Sequence, residues 1–185
     1  MFFVGATGSF LSDTETSTGN TFTAGAIDLK IDNESYYSAV EGWYNEGTSW
    51  LEPADLGDGH LFFDFHDLKP GDWGEDTISI HVNDNDAYAC VDVRLDSNDD
   101  NGHTEPESEV DSTDGVGEGE LAGRINFIWW VDDGDNVLEG GEQVLDGGPL
   151  GALAVGEIAT IPLAEPNGGG VFGGPLTGEQ TYYLG

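Results

Sequence analysis

Alternation of apolar and polar side chains, the period-two mark of a half-buried strand, recurs along most of this chain. In "TISIHVND", Ile78, Ile80 and Val82 fall on one face, and Thr77, Ser79, His81 and Asn83 on the other. "AYACVDVRLD" repeats the pattern, with Ala89, Val91, Val93 and Leu95 on one side. "TFTAGAIDLKID" interleaves Ala24, Ala26 and Leu29 to Ile31 with polar residues, and "RINFIWWVDD", "IATIPLA" and "TYYLG" add three later strand patterns. "HLFFDFHDL" predicts one more, closed by the Pro- and Gly-bearing turn "KPGDWGED". Residues 33–60 read as an irregular excursion rich in aromatics (Tyr36, Tyr37, Trp43, Tyr44, Trp50), with room for a short helix around 36–44. These aromatics form either a lid over the core or a ligand patch. Seven or eight short strands with turn-rich links and no long helical period predict an all-β fold, a β-sandwich of jelly-roll type.

The first ten residues, "MFFVGATGSF", break the pattern because they carry no charge. They are too short to span a bilayer, which takes about 20 apolar residues, and they lack the basic start of a secretory signal. Phe2, Val4, Ala6, Gly8 and Phe10 share one face at period two, so the thread can present an apolar strand edge. The remaining possibility is a signal remnant. On this reading residues 1–12 are a donor strand or signal remnant, residues 13–185 are the jelly-roll domain, and the chain is a processed or partial product.

Charge sharpens the problem. There are 37 acidic residues against 4 basic ones, a formal charge of −33. This excludes a nucleic-acid binder or a binder of anionic membranes, both of which need basic patches, and no stretch reads as a membrane span. Self-repulsion of this size opposes compaction. External salt or bound divalent cations can offset it, whereas Lys30, Lys69, Arg94 and Arg124 are too few to do so by ion pairing. The single cysteine, Cys90, makes no internal disulfide, and its apolar neighbours predict a buried small hydrophobe.

Two segments carry a family resemblance. "FLSDTETSTGNTFTAGAIDLKID" resembles the N-terminal motif of the TasA/camelysin family of secreted fibre proteins, through Phe10, Ser12, Asp13, Thr14, Glu15, Asn20, Phe22, Ala24, Gly25, Ile27, Asp28 and Leu29. Leu11 departs from it, standing where the family has a second aromatic. "LKPGDWGEDTISIHV" is similar to a second family segment, and together the two cover about a quarter of the chain. The resemblance implies a secreted, cell-surface jelly-roll subunit of a biofilm-matrix fibre or archaeal bundling pilus. In such polymers the N-terminal segment of one copy completes the sheet of the next, a head-to-tail homopolymer that does not close on itself. "VFGGPLTGEQTYYLG" would supply the strand that receives the donor.

Acidic loops suggest calcium. "DDGDNVLEGGE" brings Asp133, Asp135, the Val137 carbonyl, Glu139 and Glu142 into calcium-loop spacing, and such loops supply the six to eight oxygens that the ion takes. It resembles the calcium loops of bacterial and archaeal surface proteins. "DSNDDNGHTEPESEVD" offers Asp96, Asn98, Asp100, Glu105 and Glu109, with a less regular finish. In a chain this acidic, either loop also reads as a solvated turn. Asn33 heads the triplet "NES", a glycosylation sequon.

Catalytic patterns are weak. Camelysin-type relatives have been labelled metallopeptidases, yet His60, His66, His81 and His103 form no His-Glu-x-x-His pair. His60 and His66 on one strand would stand roughly 20 Å apart. Neither a Gly-x-Ser-x-Gly elbow nor a phosphate loop occurs. The expectation is therefore a structural protein without enzymatic activity. The alternatives are a secreted monomeric calcium-dependent carbohydrate-binding module using Trp43, Tyr44 and Trp50, and a camelysin-like peptidase.

Overall fold

The computed structural model describes residues 27–39, 42–45, 48–57, 60–65, 68–100, 102, 109–113, 115–149 and 153–185. Within them the chain is an all-β, antiparallel sandwich of nine strands: β1 (Leu29–Ala39), β2 (Gly42–Asn45), β3 (Trp50–Ala54), β4 (Trp73–Val82), β5 (Ala89–Arg94), β6 (Asn126–Asp132), β7 (Val144–Pro149), β8 (Ile158–Ala164) and β9 (Gln180–Leu184). Seven form one sheet in the order β2-β1-β4-β9-β6-β7, with β3 also paired to β1. The second layer is the pair β5–β8 alone.

The longest ladder joins β1 to β4 without interruption, from Leu29 opposite Val82 to Ser38 opposite Trp73. Strand β9 then pairs β4 from Ile78 to Val82, and β6 joins through Val131 opposite Leu184. Period two sends Ile78, Ile80 and Val82 inward, as their alternation predicts. There Ile80, Val82 and Leu184 cluster with Leu163 and Ala164 of β8 and with Ala87 and Leu176. Ala87 and Leu176 exchange both backbone hydrogen bonds (2.9 and 2.8 Å), pinning the loops before β5 and before β9 to each other. Val91, Ile161, Phe172 and Tyr182 pack around this centre.

Toward β3 the inner face turns polar. Asn33 and Ser35 are wholly buried there and Asp76 nearly so. Residues 48–57 and 60–65 supply aromatic packing and partners for Asn33 and Ser35: the Ser35 N–H donates to Ser49 Oγ (2.8 Å), and the Ser35 and Thr48 hydroxyls lie 2.7 Å apart. Trp50 stacks on His60 with ring centroids 4.6 Å apart, while its indole N–H donates to the Ile31 carbonyl (3.0 Å).

Several expectations are corrected. Residues 36–39 and 42–44 form strand, not helix, because the β1–β4 ladder continues through Tyr37 and Ser38, and aromatic side chains suit a pleated surface. Among its described residues, "HLFFDFHDL" joins no ladder. Its rings pack instead, Phe63 on Phe65 and Phe65 on Tyr37. Cys90 is exposed, since the alternation that turns Ala89 and Val91 inward turns the residue between them outward. Strands β2, β3 and β7 were not expected. The thread Phe2, Val4, Ala6, Gly8 and Phe10 lies outside the described residues.

Candidate functional site

The segment between β6 and β7 folds back over the outer face of the large sheet. The last residue of β6, Asp132, is the ladder partner of Tyr183 and is 5% exposed. Both carboxylate oxygens of Asp132 are fixed: Oδ1 accepts from the Gly134 N–H (2.6 Å) and Oδ2 from the Trp130 indole N–H (3.0 Å). Gly134 has φ +99°, and a Cβ there would lie 3.2 Å from the Tyr183 ring, so the loop rests directly on that ring. Asn136, also left-handed at φ 65°, reaches β1, donating its side-chain N–H to Glu34 Oε2 (3.1 Å).

Glu142 braces the loop from within, since its two oxygens accept from the Asp133 N–H (3.2 Å) and the Glu139 N–H (2.7 Å). Asp135 accepts from the Val137 N–H (3.0 Å). The carboxylates of Asp132, Asp133 and Asp135 converge, with ligand atoms within 4.8 Å of one another. Repulsion from Asp135, with burial and the charges of Glu142 and Asp132, raises the Asp133 carboxyl above its usual range.

Beneath the loop lies an acidic floor. Tyr36 is opposite Glu75 and Glu34 is opposite Thr77, so all four share the outer face of β1 and β4. Tyr36 donates its hydroxyl to Glu34, and Thr77 donates to Glu75 Oε1 (2.8 Å). Glu75 is 9% exposed, and its second oxygen is buried without a hydrogen-bond partner. Burial, reinforced by the charges of Asp132 and Glu34 against the opposing bond from Thr77, pushes its carboxyl up to about 7. An open cleft of about 260 Å³ lies between floor and loop, lined by Tyr36, Glu75, Asp135, Asn136 and Val137. Two of the four basic side chains are engaged elsewhere, Lys30 with Asp55 and Asp28, and Arg94 with Asp96.

The loop residues expected from the sequence therefore separate. Asp133 and Asp135 come together, Val137 lines the cleft, and Glu142 serves as a brace with Glu139 beside it. Asp132 and Glu75 were missed. The Asp132–Asp133 doublet ending a strand pattern was the only sequence signal for the first, and nothing local marks the second.

The second loop regroups more thoroughly. Asp100 meets Asp111 and Glu120, neither of which was expected. Asp96 pairs with Arg94 at 2.6 Å, and Asn98 ties its side chain to the Gly119 carbonyl. Glu109 is exposed outside the cluster, and Glu105 lies outside the described residues. Asn33 is unsuited to glycosylation in the folded domain, since it is 0% exposed and its amide N–H is donated to Asp76. Trp50 is held as part of the lid, not displayed as an exposed sugar platform.

A third grouping emerges only in three dimensions. His81 stands between Asp32 (Nε2 to Oδ2, 2.7 Å) and Thr181 (Nδ1 to Oγ1, 3.0 Å), a carboxylate–imidazole–hydroxyl line. The order has the outline of a nucleophilic triad. However, His81 and Thr181 are directly opposed ladder partners, and the trio does not line the cleft above. Its evident work is to tie β1, β4 and β9 together.

Among the described residues no helix is long and apolar enough to cross a membrane. No family model, curated protein or solved structure matches the chain.

Proposed function

We propose that the chain is a structural subunit of an extracellular filament, a biofilm-matrix fibre or bundling pilus, that polymerises by donor-strand complementation within a jelly-roll domain. The carrying observation is the imbalance between layers: among the described residues a six-strand path faces only β5 and β8. Among the described residues the pair joins no further ladder, although Val171 and Phe172 donate backbone hydrogen bonds to Pro162 and Leu163 at the end of β8, and a two-stranded sheet is marginal alone. Ile158, at the start of β8, is more than half exposed. An incoming apolar strand would gain main-chain hydrogen bonds from an open edge and register from its alternate side chains. The opening thread has that alternation, and the TasA/camelysin resemblance of the segment after it favours the same role. The test is deletion of residues 1–11 from the secreted protein, followed by negative-stain imaging. Filaments should vanish while the sandwich stays folded by circular dichroism; filaments that persist exclude the thread as donor.

A further inference from the structure

A second open cleft, of about 520 Å³, lies where the chain leaving β5 meets the turn before β6 and the turn before β8. Its size is within the range of small-molecule sites, and main-chain bonds hold its walls in place. The Leu95 carbonyl accepts from the Gly156 N–H (2.8 Å), and the Asn98 carbonyl from the Gly119 N–H (2.9 Å). The Asn98 side-chain amide returns a bond to the Gly119 carbonyl. A Cβ on residue 119 would meet the Asp99 carbonyl oxygen at 2.9 Å, so only glycine lets these two segments lie so close. Leu95, Leu153 and Val155 give the cleft an apolar side, and its two charged side chains are opposite in sign. Arg124 follows the single turn Leu121–Gly123, its backbone N–H bonded to the Leu121 carbonyl (2.9 Å). Among the described residues its guanidinium forms no ion pair, in a chain with 37 acidic residues against 4 basic ones. Glu120 accepts from the Thr113 hydroxyl (2.9 Å) through Oε1 and converges with Asp100 and Asp111, ligand atoms within 4.8 Å of one another. Glu120 and Arg124 line one space without bridging to each other.

We propose that this cleft binds a zwitterionic amino acid with an aliphatic side chain: its carboxylate on Arg124, its ammonium on Glu120, its side chain against Leu95, Leu153 and Val155. The planar guanidinium fork matches a carboxylate in two parallel bonds. A plain anion would meet the repulsion of the whole acidic body and of Glu120. A plain cation would leave Arg124 unanswered. A zwitterion satisfies both charges and carries no net charge of its own. The site stands independently of the polymer reading, since every residue in it belongs to one copy and none to the opening thread.

Leucine is the probe, with isocaproate, which lacks the amine, and isoamylamine, which lacks the carboxylate, as its two halves. Titrating the isotope-labelled full chain with leucine should move the backbone amide resonances of Gly117, Gly119 and Gly123, which line the cleft. Either half alone should bind more weakly. Arg124→Gln should weaken leucine by about tenfold or more, since hydrogen bonds between charged groups are the strong ones. Glu120→Gln should weaken leucine likewise and bring isocaproate level with it. Both residues are exposed, so neither change threatens the fold. Arg94→Gln, which removes the arginine paired with Asp96, should leave the titration as in the wild type. Leucine that moves none of these amides, or that binds Arg124→Gln as tightly as the wild type, would overturn the proposal. Isocaproate binding the wild type as tightly as leucine would overturn it in favour of a simple carboxylate site.

Discussion

Asn33 donates its side-chain amide to Asp76 across 2.5 Å, and both lie in the polar part of the interior at 0% and 7% exposure. The bond favours the carboxylate, but burial outweighs it and, with the charge of Glu75, pushes the Asp76 carboxyl up to about 7.

A pH dependence with a definite sign results. Between the ordinary aspartate range and about 7, folded Asp76 holds a proton that the unfolded chain does not, so stability falls as pH rises through this window. Glu75 acts in the same direction. With each unit worth about 1.4 kcal/mol, acidification from pH 8 to 5 should strengthen the fold, and Asp76→Asn should flatten the profile. Urea denaturation across that range measures it; an unchanged slope in the variant would remove Asp76 as the cause.

Replacing Asn33 by Ala strips the donor from Asp76 and an acceptor from the Trp50 N–H (3.4 Å). Leaving buried groups unsatisfied costs about 1–3 kcal/mol, read as a lower denaturation midpoint. Mass spectrometry of protein from a glycosylating host should find Asn33 unmodified.

Leu176 is 0% exposed at the junction of both layers. Leu176→Ala should destabilise the fold by about 2–5 kcal/mol, through lost burial plus the cavity left behind. Denaturant titration checks this, and a change within error would mean that the site collapses around the smaller side chain.

Cys90 faces solvent on β5, opposite Pro162. A chromogenic disulfide reagent should therefore label it in the native protein at a rate little changed by denaturant, whereas a buried thiol would wait for unfolding.

Strands were legible where alternation and burial agree. Ile78, Ile80 and Val82 announce the end of β4, whereas Asp76 on the same face hid its start; β6, β8 and β9 were visible from their patterns. The length of β1 was hidden because its inner positions include Asn33 and Ser35, which invert the usual meaning of polarity. Strand β7, "VLDGGP", spends two positions on glycine and has no period to read. At the site, Asp133 and Asp135 were legible because they are neighbours in sequence. Glu75 was not, since only the ladder and the returning loop bring it beneath them.

The disparity in breadth between the two layers also ties thermal behaviour to dilution. Any segment that completes the narrow layer binds the folded form and not the unfolded one, so it raises the melting temperature by mass action. A filler lent by a second molecule makes that temperature climb as the protein is concentrated; one supplied in cis leaves it constant.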